Sequence, residues 1–390
     1  MDEIRVGLAG LGHRGLHWLR LLQRIEGYRV TALFDPIVAL HEPALAELED
    51  GSGVNLYASY DELLDDRSVD AVALCVRSFD QGALAAQALD AGKHVNSEVP
   101  LAYRMEDCWR IVSAVERSGL VYLLAEQVRY GGIVEAWRDL VQEGRLGRVT
   151  YCEGQYFGYK VPSVYYQDQE SGEFVLADEL PSHPKATATT RNSDPIYYLP
   201  HELSPLLKIL DDRVVEVVAM STGSPGYSHP EIERRDVQAA LMKTEKDTLL
   251  RLMCGFTQPT PPDRDHHWFQ IIGTRGSVES ARTSRDLPKL WLADGGMHDM
   301  AEVDWRSQRT DAPEGAHGSG HSDTDFYVHT AFRDAVLGTK PLEFDVYQAI
   351  ETAAPAILAA ESIANGSKPM RVPDFRPSAS RTSGQMPQAS

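Results

Sequence analysis

Residues 4–15 read IRVGLAGLGHRG, a short apolar run that leads directly into a Gly-x-Gly-x-x-Gly motif. The glycines of the motif are Gly10, Gly12 and Gly15, and a helical pattern of apolar residues follows them. After a strand, the first glycine permits a tight turn and the second lets a pyrophosphate approach the backbone. The third lets the helix pack closely on the strand. The stretch therefore predicts the opening βαβ unit of a dinucleotide-binding domain.

An acidic residue, Asp35, stands 20 residues after Gly15, at the end of the second predicted strand. A carboxylate there accepts hydrogen bonds from the adenosine ribose and repels a 2′-phosphate, so we predict NAD rather than NADP. His13 and Arg14 lie inside the motif, where a pyrophosphate meets the helix N-terminus, and are predicted cofactor contacts. The alternative, a glycine-rich turn without a nucleotide, fits the strand–turn–helix context less well.

The first 125 residues alternate strand-like and helical patterns. We predict strands at residues 4–9, 28–34, 69–76, 93–96 and 121–125, and helices at 16–25, 39–49, 83–91 and 105–118. The strand at 69–76 is apolar after Asp70, which is typical of a parallel strand buried on both faces. Residues 1–125 are therefore predicted to form an NAD-binding Rossmann domain around a doubly wound parallel sheet.

Residues 126–373 have a different sequence pattern, in which short strand-like segments are separated by turn signals. We predict strands at 148–157, 214–221, 236–242, 248–255 and 267–273, and helices at 132–143, 199–210, 325–337 and 345–365. This pattern predicts an α+β substrate-binding domain with an open, mostly antiparallel sheet. We predict a loop at 306–323, which is rich in Gly, His and Ser, and a disordered tail at 374–390, which is rich in Ser, Pro and Gln.

The composition limits the classes of partner. The net charge is −19, because 57 acidic residues outnumber 38 basic ones, which disfavours nucleic acid or an anionic membrane as the main partner. The four cysteines form no Cys-x-x-Cys pair and are typical of reduced thiols in a reducing compartment. No apolar run reaches bilayer length, and no basic leader precedes Ile4. We therefore expect a cytoplasmic protein with a small-molecule partner.

Beyond the glycine motif, further segments resemble the Gfo/Idh/MocA oxidoreductase family. These segments are ALDAGKHV at 88–95, Glu98-Val99-Pro100, and GTRGSVE at 273–279. The resemblance keeps the same order over residues 4–373. It implies a Rossmann domain followed by an open sheet whose face meets the nicotinamide, and it places Glu98 and Pro100 beside the cofactor.

Two positions depart from the sugar dehydrogenases of that family. Those enzymes carry Glu-Lys-Pro, in which the lysine helps to move the hydroxyl proton, and this chain has Val99 instead. They also carry Asp-x-x-x-His, and here Tyr197 takes the place of the acid before His201. The proton-transfer set of a simple alcohol dehydrogenase is therefore missing from the sequence.

A subgroup of that family, the family 109 glycosidases, is more similar. The segments YLPH at 198–201, SPL at 204–206 and EQVRY at 126–130 resemble its patterns, and NAD-dependent sulfoquinovosidases are related to it in mechanism. The resemblance implies hydrolysis by redox chemistry. The sugar loses a hydride from C3 to NAD⁺ and a proton from C2, the aglycone leaves C1, water adds there, and the hydride returns. The cofactor is regenerated and need not dissociate.

Such chemistry needs a base for the C3 hydroxyl, a base for C2–H and an acid for the leaving group. Tyr198, His201 and Glu126 supply these types, and we predict His201 near the C3 oxygen and Tyr198 as the C2 base. Structural alternatives stay open for each. His201 could cap its helix, Tyr198 could belong to an aromatic core pair, and Glu126 could be an ion-pair partner.

Several cations near these segments favour a sugar that carries a sulfonate or carboxylate. Lys160, Lys185 and Arg191 precede Tyr198, and Arg129 follows the last strand of the Rossmann domain. Such groups hold anions well, although solvated surface charges are the alternative for each lysine. His267 is expected to reach the substrate from the sheet, and no metal site is predicted.

The leading hypothesis is an NAD-dependent glycosidase that acts on a sulfoquinovoside or another anionic α-glycoside. The first alternative is an NAD-dependent sugar or inositol dehydrogenase, and the second is a non-catalytic NAD-binding sensor. The family resemblance also leads us to expect a homo-oligomer.

Overall fold

A parallel sheet of six strands is built within residues 4–124 of the computed structural model. The structure describes residues 3–158, 166–257, 260–306, 308–378 and 381–386. The strands of this sheet are β1 (Ile4–Ala9), β2 (Tyr28–Phe34), β3 (Asn55–Tyr57), β4 (Ala71–Leu74), β5 (His94–Ser97) and β6 (Tyr122–Leu124). Their order is β3-β2-β1-β4-β5-β6, so the chain reverses direction across the sheet between β1 and β4, where doubly wound sheets bind dinucleotides.

The helices of this domain connect successive strands. They are α1 (His13–Arg24), α2 (His41–Leu45), α3 (Tyr60–Asp65), α4 (Ser78–Asp90) and α5 (Met105–Ser118). Every residue of β4 is buried, as expected for a parallel strand covered on both faces. The predicted Rossmann domain is confirmed. The sequence does not indicate β3 and α3, because both are too short to show a clear periodicity.

The second domain follows β6. In chain order its helices and strands are α6 (Gly132–Gln142), β7 (Val149–Phe157), β8 (Tyr166–Asp168), β9 (Phe174–Val175), β10 (Ala186–Ala188), α7 (Pro200–Leu210), β11 (Val214–Ser221), β12 (Gln238–Thr244), β13 (Leu249–Gly255), β14 (His267–Gly273), β15 (Gly276–Glu279), β16 (Lys289–Leu292), β17 (Ala301–Glu302), α8 (Asp325–Val336), α9 (Val346–Ala364) and β18 (Met370–Arg371). The short strands β8, β9 and β10 form a small antiparallel sheet, in the order β10-β8-β9.

The large sheet of this domain runs β17-β16-β15-β14-β7-β13-β12-β11-β18 in the described residues. Its neighbours pair antiparallel except for β7 with β13, so the predicted open, mostly antiparallel sheet is confirmed. Burial alternates along β12 and β13, and α9 packs on β11 while α7 packs on β7. The opposite face leaves Met220, Leu241 and Leu249 exposed. No helix among the described residues combines the length and apolarity needed to cross a membrane.

The C-terminal segment differs from the predicted disordered tail. Phe375 is fully buried, and its ring centre lies 4.3 Å from that of Trp109 on α5. Arg381 forms an ion pair of 2.6 Å with Glu116, and both side chains are almost completely buried. The polar composition suggested disorder, but one aromatic anchor and one buried ion pair attach the segment to the Rossmann domain.

Candidate active site

The glycine motif forms a cradle at the carboxyl end of β1. Gly10 has a φ of +92°, and a Cβ there would lie 2.4 Å from the carbonyl oxygen of Cys75, so only glycine fits. A Cβ on Gly15 would lie 1.8 Å from the Gly10 oxygen. Gly12, in contrast, has no described neighbour within 4 Å of its Cβ position and caps α1 without a side-chain hydrogen bond. The cradle therefore offers room and backbone N–H groups to a pyrophosphate, and its residues fit NAD.

Asp35 lies beside this cradle, at the carboxyl end of β2. Its Oδ2 accepts a hydrogen bond of 2.8 Å from Leu11 N, and its Oδ1 accepts one of 2.9 Å from Ile37 N. Burial raises the pKa of this carboxyl, although the two backbone bonds oppose the shift. Each oxygen keeps a further lone pair that can accept a hydrogen bond from the adenosine ribose. That contact stays a prediction.

Arg14, a predicted cofactor contact, has two carboxylate partners in the structure. Its Nε donates to the Glu98 carboxylate, and its two terminal nitrogens each lie 2.8 Å from an oxygen of Asp325. The guanidinium therefore ties α1 to the segment after β5 and to α8, and its predicted contact with the cofactor stays a prediction. His13 is exposed as the first residue of α1, and Glu98 and Pro100 follow β5 at the cradle's edge of the sheet. These three stay predicted contacts.

Two histidine–glutamate pairs, each with a buried carboxylate, lie where the large sheet meets α7. His201 on α7 has its Nδ1 3.1 Å from Oε1 and 3.0 Å from Oε2 of Glu126, the second residue after β6. His267 on β14 has its Nδ1 2.6 Å from Oε1 of Glu202 on α7. Both glutamates are fully buried, and the centres of the two imidazole rings are 5.9 Å apart. The fold thus brings together two oriented imidazoles from distant parts of the sequence.

Each carboxylate orients its histidine. A neutral imidazole whose Nδ1 donates to a carboxylate carries its lone pair on Nε2, on the far side of the ring. Burial and the nearby His201 lower the pKa of His267 to about 3, so this ring is neutral at neutral pH. Glu126 is fully buried and contacts His201, so this position suits a group that orients the histidine, and its predicted role as a catalytic group stays a prediction.

Aromatic side chains line the space around these imidazoles. The ring centre of Tyr198 is 6.2 Å from that of His201 and 5.3 Å from that of Phe256. Tyr156 on β7 stacks on His267 with ring centres 4.2 Å apart. Tyr198 therefore faces the same site as His201, as the spacing of the two residues predicts. The sequence does not identify Tyr156 as a site residue, because a tyrosine on a strand is equally typical of a core position.

A third histidine, His321, belongs to the same group. Its Nδ1 is 3.1 Å from both oxygens of Asp325, and its ring centre is 6.5 Å from that of His201. His321, Ser322 and Asp323 have φ values of +47°, +58° and +71°, a left-handed run that is strained for residues other than glycine. Strain of this kind clusters at functional sites. The predicted loop at 306–323 contains this turn, but composition alone assigned His321 no role.

The position of Asp325 connects the histidines to the cofactor cradle. This carboxylate binds His321 on one side and Arg14, in the first turn of α1, on the other. Arg14 and the hydrogen-bonding groups of the site hold the pKa of Asp325 well below its ordinary value despite burial. The imidazoles therefore lie together near the place where the glycine motif is expected to receive a pyrophosphate.

Two of the predicted anion-binding cations, Lys185 and Arg129, have partners of their own within the described residues. Lys185 is exposed and paired with Glu170, and its predicted substrate contact stays a prediction. Arg129 is 3% exposed, donates to Ser204 Oγ at 2.8 Å and lies over the Phe344 ring, so its guanidinium is engaged in the core and its predicted substrate contact stays a prediction. Burial lowers the pKa of the Arg129 guanidinium.

The other predicted substrate contacts are Lys160, Arg191 and His267. Lys160 lies outside the described residues, and Arg191 lies in a short 3-10 helix at Thr190–Asn192. His267 does lie in the site, as the sheet position predicts. Its neighbour on the strand, His266, points the other way, with Nδ1 3.1 Å from the oxygen of Phe157.

Comparison with known families identifies both halves of the chain. A model of the oxidoreductase family with an NAD-binding Rossmann fold matches residues 4–126. A model of the glycosyl hydrolase 109 C-terminal domain matches residues 134–381. The predicted family resemblance and the predicted NAD cofactor are confirmed.

Relatives of similar length carry the same name. A glycosyl hydrolase family 109 protein from Phocaeicola vulgatus is 24% identical over 95% of this chain and 94% of its own. An alpha-N-acetylgalactosaminidase from Bacteroides fragilis is 24% identical over 96% of this chain and 92% of its own.

Solved structures share the fold at lower identity. An NAD-binding oxidoreductase from Klebsiella pneumoniae has a TM-score of 0.73 at 17% identity, over 95% of this chain and 99% of its own. A scyllo-inositol dehydrogenase from Lactobacillus casei, solved with NAD(H) and scyllo-inositol, has a TM-score of 0.69 at 18% identity, with the same shares covered. These likenesses confirm the two-domain fold.

Proposed function

The chain belongs to the glycosyl hydrolase 109 family, and we propose that it cleaves a sugar glycoside without net consumption of its cofactor. It is an NAD-dependent enzyme, with a Rossmann domain for the dinucleotide and a second domain for the sugar. The proposed route oxidises C3, eliminates the aglycone from C1, adds water and reduces C3 again. One observation carries this proposal: three imidazoles, each oriented by a carboxylate, lie together beside the cofactor cradle.

His201 is proposed as the base for the C3 hydroxyl. Bound NAD⁺ supplies the capacity to accept a hydride from C3 and to return it at the end. His201 Nε2 takes the hydroxyl proton, and the buried Glu126 carboxylate at 3.0 Å stabilises the imidazolium that forms. The same imidazolium returns the proton to the C3 oxygen in the final reduction. Val99 cannot transfer a proton, so we assign to His201 the task that the lysine has in the sugar dehydrogenases.

The elimination needs a base at C2 and an acid at the glycosidic oxygen. We assign the C2 base to Tyr198, whose ring lies within 6.2 Å of His201, measured between ring centres. We assign the acid to His321, because it is the most exposed of the three histidines and lies where an aglycone can leave. His267, neutral and held by Glu202, is proposed to hold a sugar hydroxyl.

The proposed substrate is a sugar glycoside, and its charge separates two versions of the proposal. The Bacteroides fragilis relative is named for alpha-N-acetylgalactosamine, a neutral sugar. A sulfoquinovoside or another anionic α-glycoside needs a cation in the site. With Lys185 and Arg129 engaged elsewhere, this version depends on Lys160 and Arg191.

A test of the redox route follows the proton at C2. Elimination breaks the C2–H bond and hydration forms it again from solvent, whereas direct displacement at C1 leaves C2–H intact. The sugar released in D₂O should therefore carry deuterium at C2. Activity should disappear when NAD is removed and return with added NAD⁺, with no net rise in NADH absorbance. Cleavage without deuterium at C2 would reject the route, and steady NADH production from a free sugar would establish a dehydrogenase.

The expected homo-oligomer and the cytoplasmic location stay predictions. Exposed Met220, Leu241 and Leu249 on the outer face of the large sheet support an association of two copies through that face.

A further inference from the structure

Residues 166–190, which we call the cover, lie between β7 and α7 and contain the small sheet of β8, β9 and β10. The turn between β8 and β9 rests on the Rossmann domain. Gly172 in this turn is so close to the segment after β2 that a Cβ there would lie 2.7 Å from Leu40 Cδ2 and 3.5 Å from Ile37 Cγ2. One end of the cover therefore contacts the domain just beyond Asp35.

The other end of the cover contacts the segment after β4. Arg77 donates a hydrogen bond of 3.0 Å to Thr187 Oγ1, at the middle of β10. The backbone N–H of Ser78, the first residue of α4, donates a bond of 3.1 Å to Thr190 Oγ1. Both threonine hydroxyls thus act as acceptors for groups of the Rossmann domain.

The two contacts lie on opposite sides of the dinucleotide crevice. In the sheet, β1 lies between β2 and β4, and it ends at the glycine motif. A segment that touches the residues after β2 and also those after β4 must pass over the crevice that opens at the end of β1. The side it touches beyond β2 is the side where Asp35 is expected to meet the adenosine ribose.

We propose that the cover closes the adenosine side of the NAD site and retains the cofactor between turnovers. The inference rests on the proposed function, because an enzyme that returns its hydride has no need to release the dinucleotide. A dehydrogenase with net turnover must release NADH each time. The cover is braced within itself, since Asp168 Oδ1 accepts bonds of 2.9 Å from Glu170 N and 3.0 Å from Ser171 N. It therefore opens as a unit when its contacts with the Rossmann domain break.

The test measures how fast the protein releases bound NADH. Two kinds of variant weaken the cover: Thr187→Val with Thr190→Val, which removes both acceptors, and Gly172→Val, which pushes the turn off Leu40. Gly53→Val is the matched control, because its φ of +78° equals that of Gly172 within a degree while its Cβ position is open. Protein loaded with NADH is mixed with excess NAD⁺, and the loss of NADH fluorescence gives the release rate.

We expect both cover variants to release NADH about tenfold faster or more, since two hydrogen bonds are lost or displaced, and the control to match the wild type. Variants that keep wild-type circular dichroism and wild-type release rates would overturn the proposal, as would a wild type that loses its NAD during gel filtration. With saturating NAD⁺, the variants should regain the wild-type kcat on a glycoside. A wild type that retains NAD but cleaves no glycoside would reject the proposed function while the release rates still decide the role of the cover.

Discussion

Replacing Glu126 by glutamine tests how much the buried carboxylate contributes to His201. The substitution preserves size and removes the charge that lies 3.0 Å from Nδ1. In the proposed transition state His201 becomes an imidazolium, and a hydrogen bond to a charged group contributes about 1.5–3 kcal/mol. Loss of that contribution corresponds to a fall of about 10- to 160-fold in kcat. The glutamine amide can also donate to Nδ1 and reverse the tautomer, which would add to the loss.

The assay is steady-state hydrolysis of a nitrophenyl glycoside with saturating NAD⁺, together with NAD binding by calorimetry. Glu116→Gln is the matched control, since Glu116 is an equally buried carboxylate that pairs with Arg381 far from the site. We expect the control to lower stability without changing kcat, and Glu126→Gln to lower kcat while NAD binding is unchanged. A kcat for Glu126→Gln equal to that of the wild type would refute the proposal that the Glu126 carboxylate stabilises the His201 imidazolium.

Three further outcomes follow from the structure. Asp35→Ala should weaken NAD binding and narrow the preference over NADP, because an acceptor and a repulsive charge are lost together; calorimetry with both dinucleotides measures this. If the sugar is anionic, Arg191→Ala or Lys160→Ala should raise KM about tenfold or more for it but not for a neutral sugar, with Lys185→Ala as the unaffected control; equal effects would remove anion recognition from these residues. Burial lowers the pKa of His329 from 6.5 to about 3, so the unfolded chain binds the proton in that window and stability falls as pH decreases. Urea unfolding should show a smaller loss over this range in His329→Gln, and an unchanged pH dependence would contradict the shift.

The fold was predictable wherever one periodicity persisted over many residues. The strands at 214–221 and 267–273 and the helix at 325–336 match their predicted bounds to within a residue, because alternation or a helical stripe marks them clearly. The small sheet of β8, β9 and β10 was not predictable, since strands of two or three residues carry no period. The order of the C-terminal segment was not predictable for another reason, because Phe375 and Arg381 attach it to α5, which is distant in sequence.

The site was predictable only where its residues stand close together in sequence. Tyr198 and His201 belong to one short motif, and the structure brings them to the same space. Glu202 follows His201 directly, yet its role depends on His267, which is 65 residues away. A pairing of this length is set by sheet register and helix packing, which a single sequence does not reveal. The same limit explains Arg129, whose position near the motif suggested a ligand but whose side chain turns into the core.

Net dehydrogenation and redox-neutral hydrolysis place opposite requirements on one Rossmann domain. A dehydrogenase needs a proton relay for a single hydroxyl and an open path for NADH, whereas the hydrolase needs several proton-transfer groups and a retained cofactor. This chain has Val99 in place of the relay lysine, three imidazoles held by carboxylates, and a segment that we propose covers the adenosine side of the crevice. These features arise from separate segments and none requires another structurally. The valine and the imidazoles favour hydrolysis, whereas the role of the cover follows from that proposal. The release rate of NADH therefore tests the cover, and deuterium at C2 of the released sugar tests the route.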